Sequence, residues 1–157
     1  MPPQLLFDLS AIDLNKVVYD QEAIRQVNPQ RGAMEHLNGI VYMDVEQRRI
    51  VGYKDVRHDE FWVEGHIPGR PLLPGVIMIE AAAQLASFLT RYVSSWRGFI
   101  GFGGVEEVKF RAPVTPGCRM YILGSQTWER HRRLCCAMQG IVNGNIVFEG
   151  RVIGTVV

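Results

Sequence analysis

The stretch "EGHIPGRPLLPGVIMIEAAAQ", Glu64 to Gln84, decides how this chain is read. Pro68, Pro71 and Pro74 exclude helix from its first half. Pro74 and Gly75 then mark a helix start, and "AAAQLASFL" has high helix propensity, so a helix is predicted from Gly75 to about Val93. Two polar side chains sit inside this apolar run. Glu80 and Gln84 are four apart and share one helix face, with Val76, Ala83 and Ser87 near it. A charged carboxylate among apolar groups is unfavourable, so Glu80 needs a partner or a raised pKa. A glutamate at the helix edge reaching water, or one hydrogen-bonded to Gln84, meets the same pattern. His66 lies in the loop before the helix, with glycine and proline on both sides. It reads either as a surface-loop histidine or as a base aimed at the helix N-terminus. The free N–H groups there can hold a developing negative charge. A histidine, a half-buried glutamate and such a donor make an acid–base site with an oxyanion hole.

Outward from this stretch the periodicity changes. On the N-terminal side, "YDQEAIRQVNP" reads as a short helix capped by Asp20, with Tyr19 and Ile24 placed as a hydrophobic staple and Pro29 ending it. Gly39 to Val56 fits two strands joined at "EQRR". After Trp96 the apolar residues recur with period two through Val108, Phe110, Met120, Ile122, Leu134, Cys136 and Met138, and "NGN" at 143–145 is a hairpin turn. A long helix followed by an antiparallel meander, with a hairpin in front, is an α+β layout in which a sheet wraps one helix. The helix is apolar nearly all round, and one curved sheet covers one side. A second copy of the chain is the natural cover for the other, as a homodimer or a dimer of dimers.

Composition bounds the rest. The 157 residues fit a single domain, 1–157. A net charge of +1, from 17 basic and 16 acidic residues, does not suggest a nucleic-acid partner. Three cysteines, two of them adjacent, read as reduced thiols rather than a disulfide framework. The opening "MPPQLLFDLSAID" lacks the form of a signal peptide, and the apolar run from Val76 to Leu89 is short for a membrane span and holds Glu80. A cytoplasmic protein is the expectation. The residues His58, Asp59, Glu60, Glu64 and His66 fit no metal-ligand spacing, so no metal is expected, and "GFGGVE" at 101–106 reads as a turn or a bulge rather than a phosphate loop. "ERHRR" at 129–133 reads as a solvated turn, or as a docking patch for an acidic carrier protein.

The motif "GHIPGRPLLPGVIMIEAAAQ" resembles the 3-hydroxyacyl-[acyl-carrier-protein] dehydratases of the hot-dog fold, whose signature runs G-H-F-P-G-x-P, P-G-V, then a glutamate followed by A-x-A-Q. "KFRAPVTPG", Lys109 to Gly117, resembles their second, weaker segment, and the similarity spans roughly Asn28 to the C-terminus. The resemblance implies His66 and Glu80 as the catalytic pair, Gly75 as the amide that polarises the thioester carbonyl, and Gln84 as an orienting neighbour. It implies an acyl carrier protein or coenzyme A thioester as substrate, no cofactor, and sites built from two chains. The related branch that also isomerises the double bond has aspartate where Glu80 stands, so glutamate favours dehydration alone. There are departures. The family's P-H-R-Y-P-F reads "PQRGAM" here: Gln30 replaces its histidine, and Gly32 stands where an aromatic gate is expected, with Met34 nearby. Asn38 falls near a usual aspartate, and Ile67 replaces the phenylalanine after the histidine. Two other readings use the same residues: a hot-dog thioesterase in which they activate water, and a non-catalytic acyl-binding protein that lost its gate.

Overall fold

The computed structural model describes residues 3–157, in the order α1 (Gln21–Arg25), a single 3-10 turn (Gly32–Met34), β1 (Gly39–Asp44), β2 (Arg49–Val56), α2 (Gly75–Val93), β3 (Ile100–Phe110), β4 (Cys118–Arg130), β5 (Arg133–Val142) and β6 (Asn145–Val156). Pro74, with ψ 135°, ends the extended loop and hands the chain to α2. Met78, Ala81, Ala82, Leu85, Phe88 and Leu89 are buried, a three-and-four spacing that turns one stripe toward the sheet. On the opposite side Val76 is exposed, and Glu80, Ala83 and Ser87 are half-buried. At 19 residues α2 is long and apolar enough to cross a bilayer, but half of it is buried inside the protein. It is the core helix.

The six strands form one antiparallel sheet in the order β1-β2-β4-β5-β6-β3. The meander expected after the helix holds for β4 to β6. β3 departs from it and pairs with β6 at the far edge. Between β3 and β4, "RAPVTPG" passes back under the helix loop. Val114 is buried there, and its carbonyl accepts from Leu73 N–H at 2.8 Å. Pro113 and Pro116 have no N–H to donate, so this segment cannot turn straight into a paired hairpin. The glycine-rich run at 101–106 lies within β3, where the register shifts mark the expected bulge. Asn143 and Gly144, at φ 50° and 80°, form the β5–β6 turn. His131 and Arg132, at φ 51° and 64°, form the β4–β5 turn with the same handedness.

Both faces of the sheet carry buried residues. Ile40, Ile50, Ile122, Met138 and Phe148 pack into the cluster under α2. Their neighbours Val41, Val51, Leu123 and Ile141 face the other way. That outer cluster is covered by residues 6–14, with Phe7 buried at its centre and Leu6, Leu9, Ile12 and Leu14 around it. Gln139 fastens this strap: its amide oxygen accepts from Leu6 N–H and its amide nitrogen donates to the Gln4 carbonyl, each at 2.8 Å. At the strap's end, Asp20 caps α1 by accepting from Ala23 N–H at 2.9 Å, as expected. Tyr19 packs at a tilt against Phe88 and Tyr92 of α2, at centroid distances of 5.1 and 5.7 Å.

Candidate active site

A cavity of about 290 Å³ runs beside α2. Glu80, Ala83, Gln84 and Ser87 line it from the helix, Val27 and Gln30 from the α1 side, and Phe99, Phe102, Leu134 and Val152 from the sheet side. The half-exposed helix face is therefore a wall of this cavity. The Glu80 carboxyl is raised above its ordinary value, because burial disfavours its charged form. The Gln84 amide pulls the other way and does not cancel the effect.

Gln84 is itself buried and fully engaged. Its amide oxygen accepts from His36 N–H at 3.0 Å, and its amide nitrogen donates to the Met34 carbonyl at 2.7 Å. Asn28 donates to the Gln84 backbone carbonyl at 2.9 Å. Gln84 thus clamps residues 28–36 to the helix beside Glu80. Asn28, unassigned from the sequence, completes that clamp; a polar residue placed before Pro29 was the available signal.

His66 stands elsewhere. It is exposed, and it does not line the Glu80 cavity. Its backbone N–H donates to the Trp62 carbonyl at 2.9 Å. Arg70 N–H donates to the Ile67 carbonyl across Pro68 and Gly69, and Gly69 has φ 79°, the residue pattern of a type II turn. This turn folds the loop back so that His66 Nδ1 lies 2.9 Å from the Leu72 carbonyl. A carbonyl only accepts, so Nδ1 carries a proton, and in the neutral ring Nε2 is then the acceptor nitrogen.

Gly75 opens α2, where the first N–H groups have no partner within the helix. A Cβ on Gly75 would sit 2.7 Å from the Phe110 ring of β3, so glycine is what lets the ring lie against this helix end. Phe110 was missed from the sequence, where it read as one more alternating strand residue. Gly32, Met34 and Ile67 do not line the cavity; Gln30 does. Gly32 has φ 61° and open space around it, and Met34 and Ile67 are exposed.

A sheet wrapped around one long helix is the hot-dog architecture. The fold is shared with the dehydratase heterocomplex ApeI:P from Xenorhabdus doucetiae, at a TM-score of 0.69 over 85% of this chain and 90% of that one, with 14% identity. The FabA-like domain model matches residues 28–151. The 3-hydroxyacyl-[acyl-carrier-protein] dehydratase FabZ of Geobacter metallireducens is 32% identical over 143 residues, 89% of this chain and 95% of the relative. The enzyme of the same name from Erythrobacter litoralis is 35% identical over 141 residues, 85% and 93% of the two. The chain belongs to the FabA-like domain family and, within it, to the 3-hydroxyacyl-[acyl-carrier-protein] dehydratases.

Proposed function

We propose that this protein dehydrates (3R)-hydroxyacyl thioesters on acyl carrier protein to trans-2-enoyl thioesters in fatty acid synthesis, with His66 as base and Glu80 as acid. The observation that carries this reading is the state of Glu80. It lines the cavity beside α2, and burial favours the protonated form of its carboxyl. A carboxyl whose protonated form is favoured by burial is suited to deliver a proton to a leaving hydroxyl.

In this mechanism His66 Nε2 takes the α-proton, and the C–H electron pair moves into the thioester as an enolate. The enolate oxygen is held by the Gly75 N–H and the positive end of α2. The enolate then collapses, the Cα–Cβ double bond forms, and the Cβ–O bond breaks. Glu80 protonates the departing hydroxyl, which leaves as water. Transfer of the α-proton from His66 to Glu80 restores both groups. The acyl chain follows the wall formed by Val27, Leu134 and Val152.

Because His66 lies outside the cavity that holds Glu80, each site is read as shared, with His66 of a second copy facing Glu80. The β3 edge supports this dimer. It is 11 residues long and presents Phe102, Val105 and Phe110, exposed at 56%, 41% and 51%. Long apolar edges pair or aggregate. Gly32 and Ala33 lack the bulk to gate the entrance beside Gln30, and Met34 does not line the cavity, so long and branched chains should enter. Coenzyme A thioesters would serve as poorer surrogates for the carrier-bound substrate, in a reducing cytoplasm that suits three unpaired thiols.

The test is the reverse reaction. Enoyl thioesters of increasing length, on acyl carrier protein and on coenzyme A, are incubated with the protein while 3-hydroxyacyl product and free thiol are both followed. Hydration across chain lengths supports the reading. Thiol release without hydration would make the protein a thioesterase, and a sharp four-carbon preference would contradict the open entrance.

A further inference from the structure

A second buried polar cluster lies outside the cavity. Lys54, on β2, is only 2% exposed, and its Nζ sits 2.5 Å from Glu60 Oε1. Glu60 Oε2 accepts from Arg57 N–H at 2.9 Å, and the Glu60 carbonyl accepts from Val63 N–H at 3.2 Å. Burial acts to raise the Glu60 carboxyl, but the bonds from Lys54 and from Arg57 N–H override it and leave it below the ordinary value. Lys54 Nζ also lies 3.2 Å from His36 Nδ1. An ammonium only donates, so His36 accepts and stays neutral. The same His36 gives its backbone N–H to Gln84.

The connections run in two directions from Lys54. Through Glu60 they fix both ends of the turn 57–63, and Trp62, 3% exposed, then holds His66 N–H. Through His36 they reach Gln84, one helical turn from Glu80. A buried ion pair adds little net stability over apolar groups of the same size. Its distinctive property is direction: it demands one geometry, where apolar packing tolerates several.

We infer that the Lys54–Glu60 pair, with His36 as its neutral third member, is a positioning device that sets the loop carrying His66. The inference rests on the reading of His66 as the base. Lys54 and Glu60 touch no substrate in this account; they act through His66.

The experiment uses the intact protein and the variant Lys54→Met/Glu60→Leu, which removes both charges together and so avoids a lone buried ion. Lys54→Met/Glu60→Gln, which keeps a polar group for Arg57 N–H, is the second variant if the first does not fold. Hydration kinetics are measured well below the melting temperature, alongside the imidazole nitrogen resonances of His66. The expected result is a kcat lower by at least about tenfold, with KM within about twofold, and loss of the single Nδ1–H tautomer. An unchanged kcat, or a reduced kcat with the His66 tautomer intact, would overturn the inference. Absence of hydration in the unmodified protein would instead sink the reading of His66 as base. The imidazole resonances still report whether the pair positions the ring.

Discussion

Glu80 and Glu60 are two half-buried glutamates with opposite fates. Glu80 faces a cavity with an amide for company, and burial lifts its carboxyl toward the neutral form. Glu60 faces Lys54 and a backbone N–H, and these hold its carboxyl charged against the same burial. Burial alone therefore does not decide protonation; the partner does. In the proposed enzyme the unpaired carboxyl does chemistry, and the paired one holds the chain that does chemistry.

Removing the unpaired carboxyl should have the largest effect on rate. Glu80→Gln keeps the shape and loses the proton, so hydration should fall by about 10²–10⁴-fold. Its stability should not fall. A carboxyl whose folded pKa is raised contributes stability below its unfolded value and loses it as pH rises through the folded one. Wherever the carboxyl is charged, burial disfavours it in the fold, and glutamine has no charge to bury. A thermal melt at pH 7 that drops sharply, with rate per folded molecule retained, would make Glu80 structural and erase the contrast.

Breaking the paired carboxyl should do the reverse. Lys54→Ala leaves Glu60 buried without its cation, a loss of about 3–5 kcal/mol in urea unfolding. A loss under about 1 kcal/mol would mean that the pair is relaxed by water and is not the anchor described.

The third contrast is with pH. Burial first, and then Lys54, push His36 down to about 4 from its ordinary 6.5. Between these values the unfolded chain binds more protons, so stability should fall as pH drops from 6.5 toward 4. Glu60, with its lowered folded pKa, loses its contribution at still more acid pH. His36→Leu should flatten the first part of the profile. A melting profile with the same slope in both proteins would contradict the neutral buried His36.

The smallest effect is expected at the helix start. The added methyl of Gly75→Ala meets the half-exposed Phe110 ring, which can swing aside. Stability should change by about 1 kcal/mol, and the rate should fall more than stability does. Equal rates in both proteins would argue that the Gly75 amide does not touch the reacting thioester.

Much of this contrast is legible in the amino-acid sequence, and the remainder is hidden there for definite reasons. The helix from Gly75 to Val93, its proline-bounded entry, the Asp20 cap and the "NGN" turn are local, and local chemistry writes them into the sequence. Glu80 stands out because it interrupts an apolar run. Glu60 does not, because it sits in "RHDEF", where charge is ordinary, and its partner Lys54 sits beside Asp55 in "YKDV", where a charged pair draws no notice. Their pairing is made by the return of the loop onto β2, which no local pattern encodes. The strap 6–14 is unreadable for a similar reason. Its apolar residues follow neither period, since they match the outer face of the sheet and not an element of their own. Adjacent apolar pairs such as Ile50–Val51 and Ile122–Leu123 are the overlooked sign that both sheet faces are covered.

The most direct test of the central claim is subunit complementation. His66→Ala and Glu80→Ala are prepared as separate inactive proteins, then unfolded and refolded together. In a mixed dimer one site holds both lesions and the other holds neither. Random pairing makes about half the dimers mixed, so the account predicts recovery of about a quarter of full activity. If no activity returns while mixed dimers are shown to form, His66 and Glu80 do not meet across two chains, and the shared site is wrong.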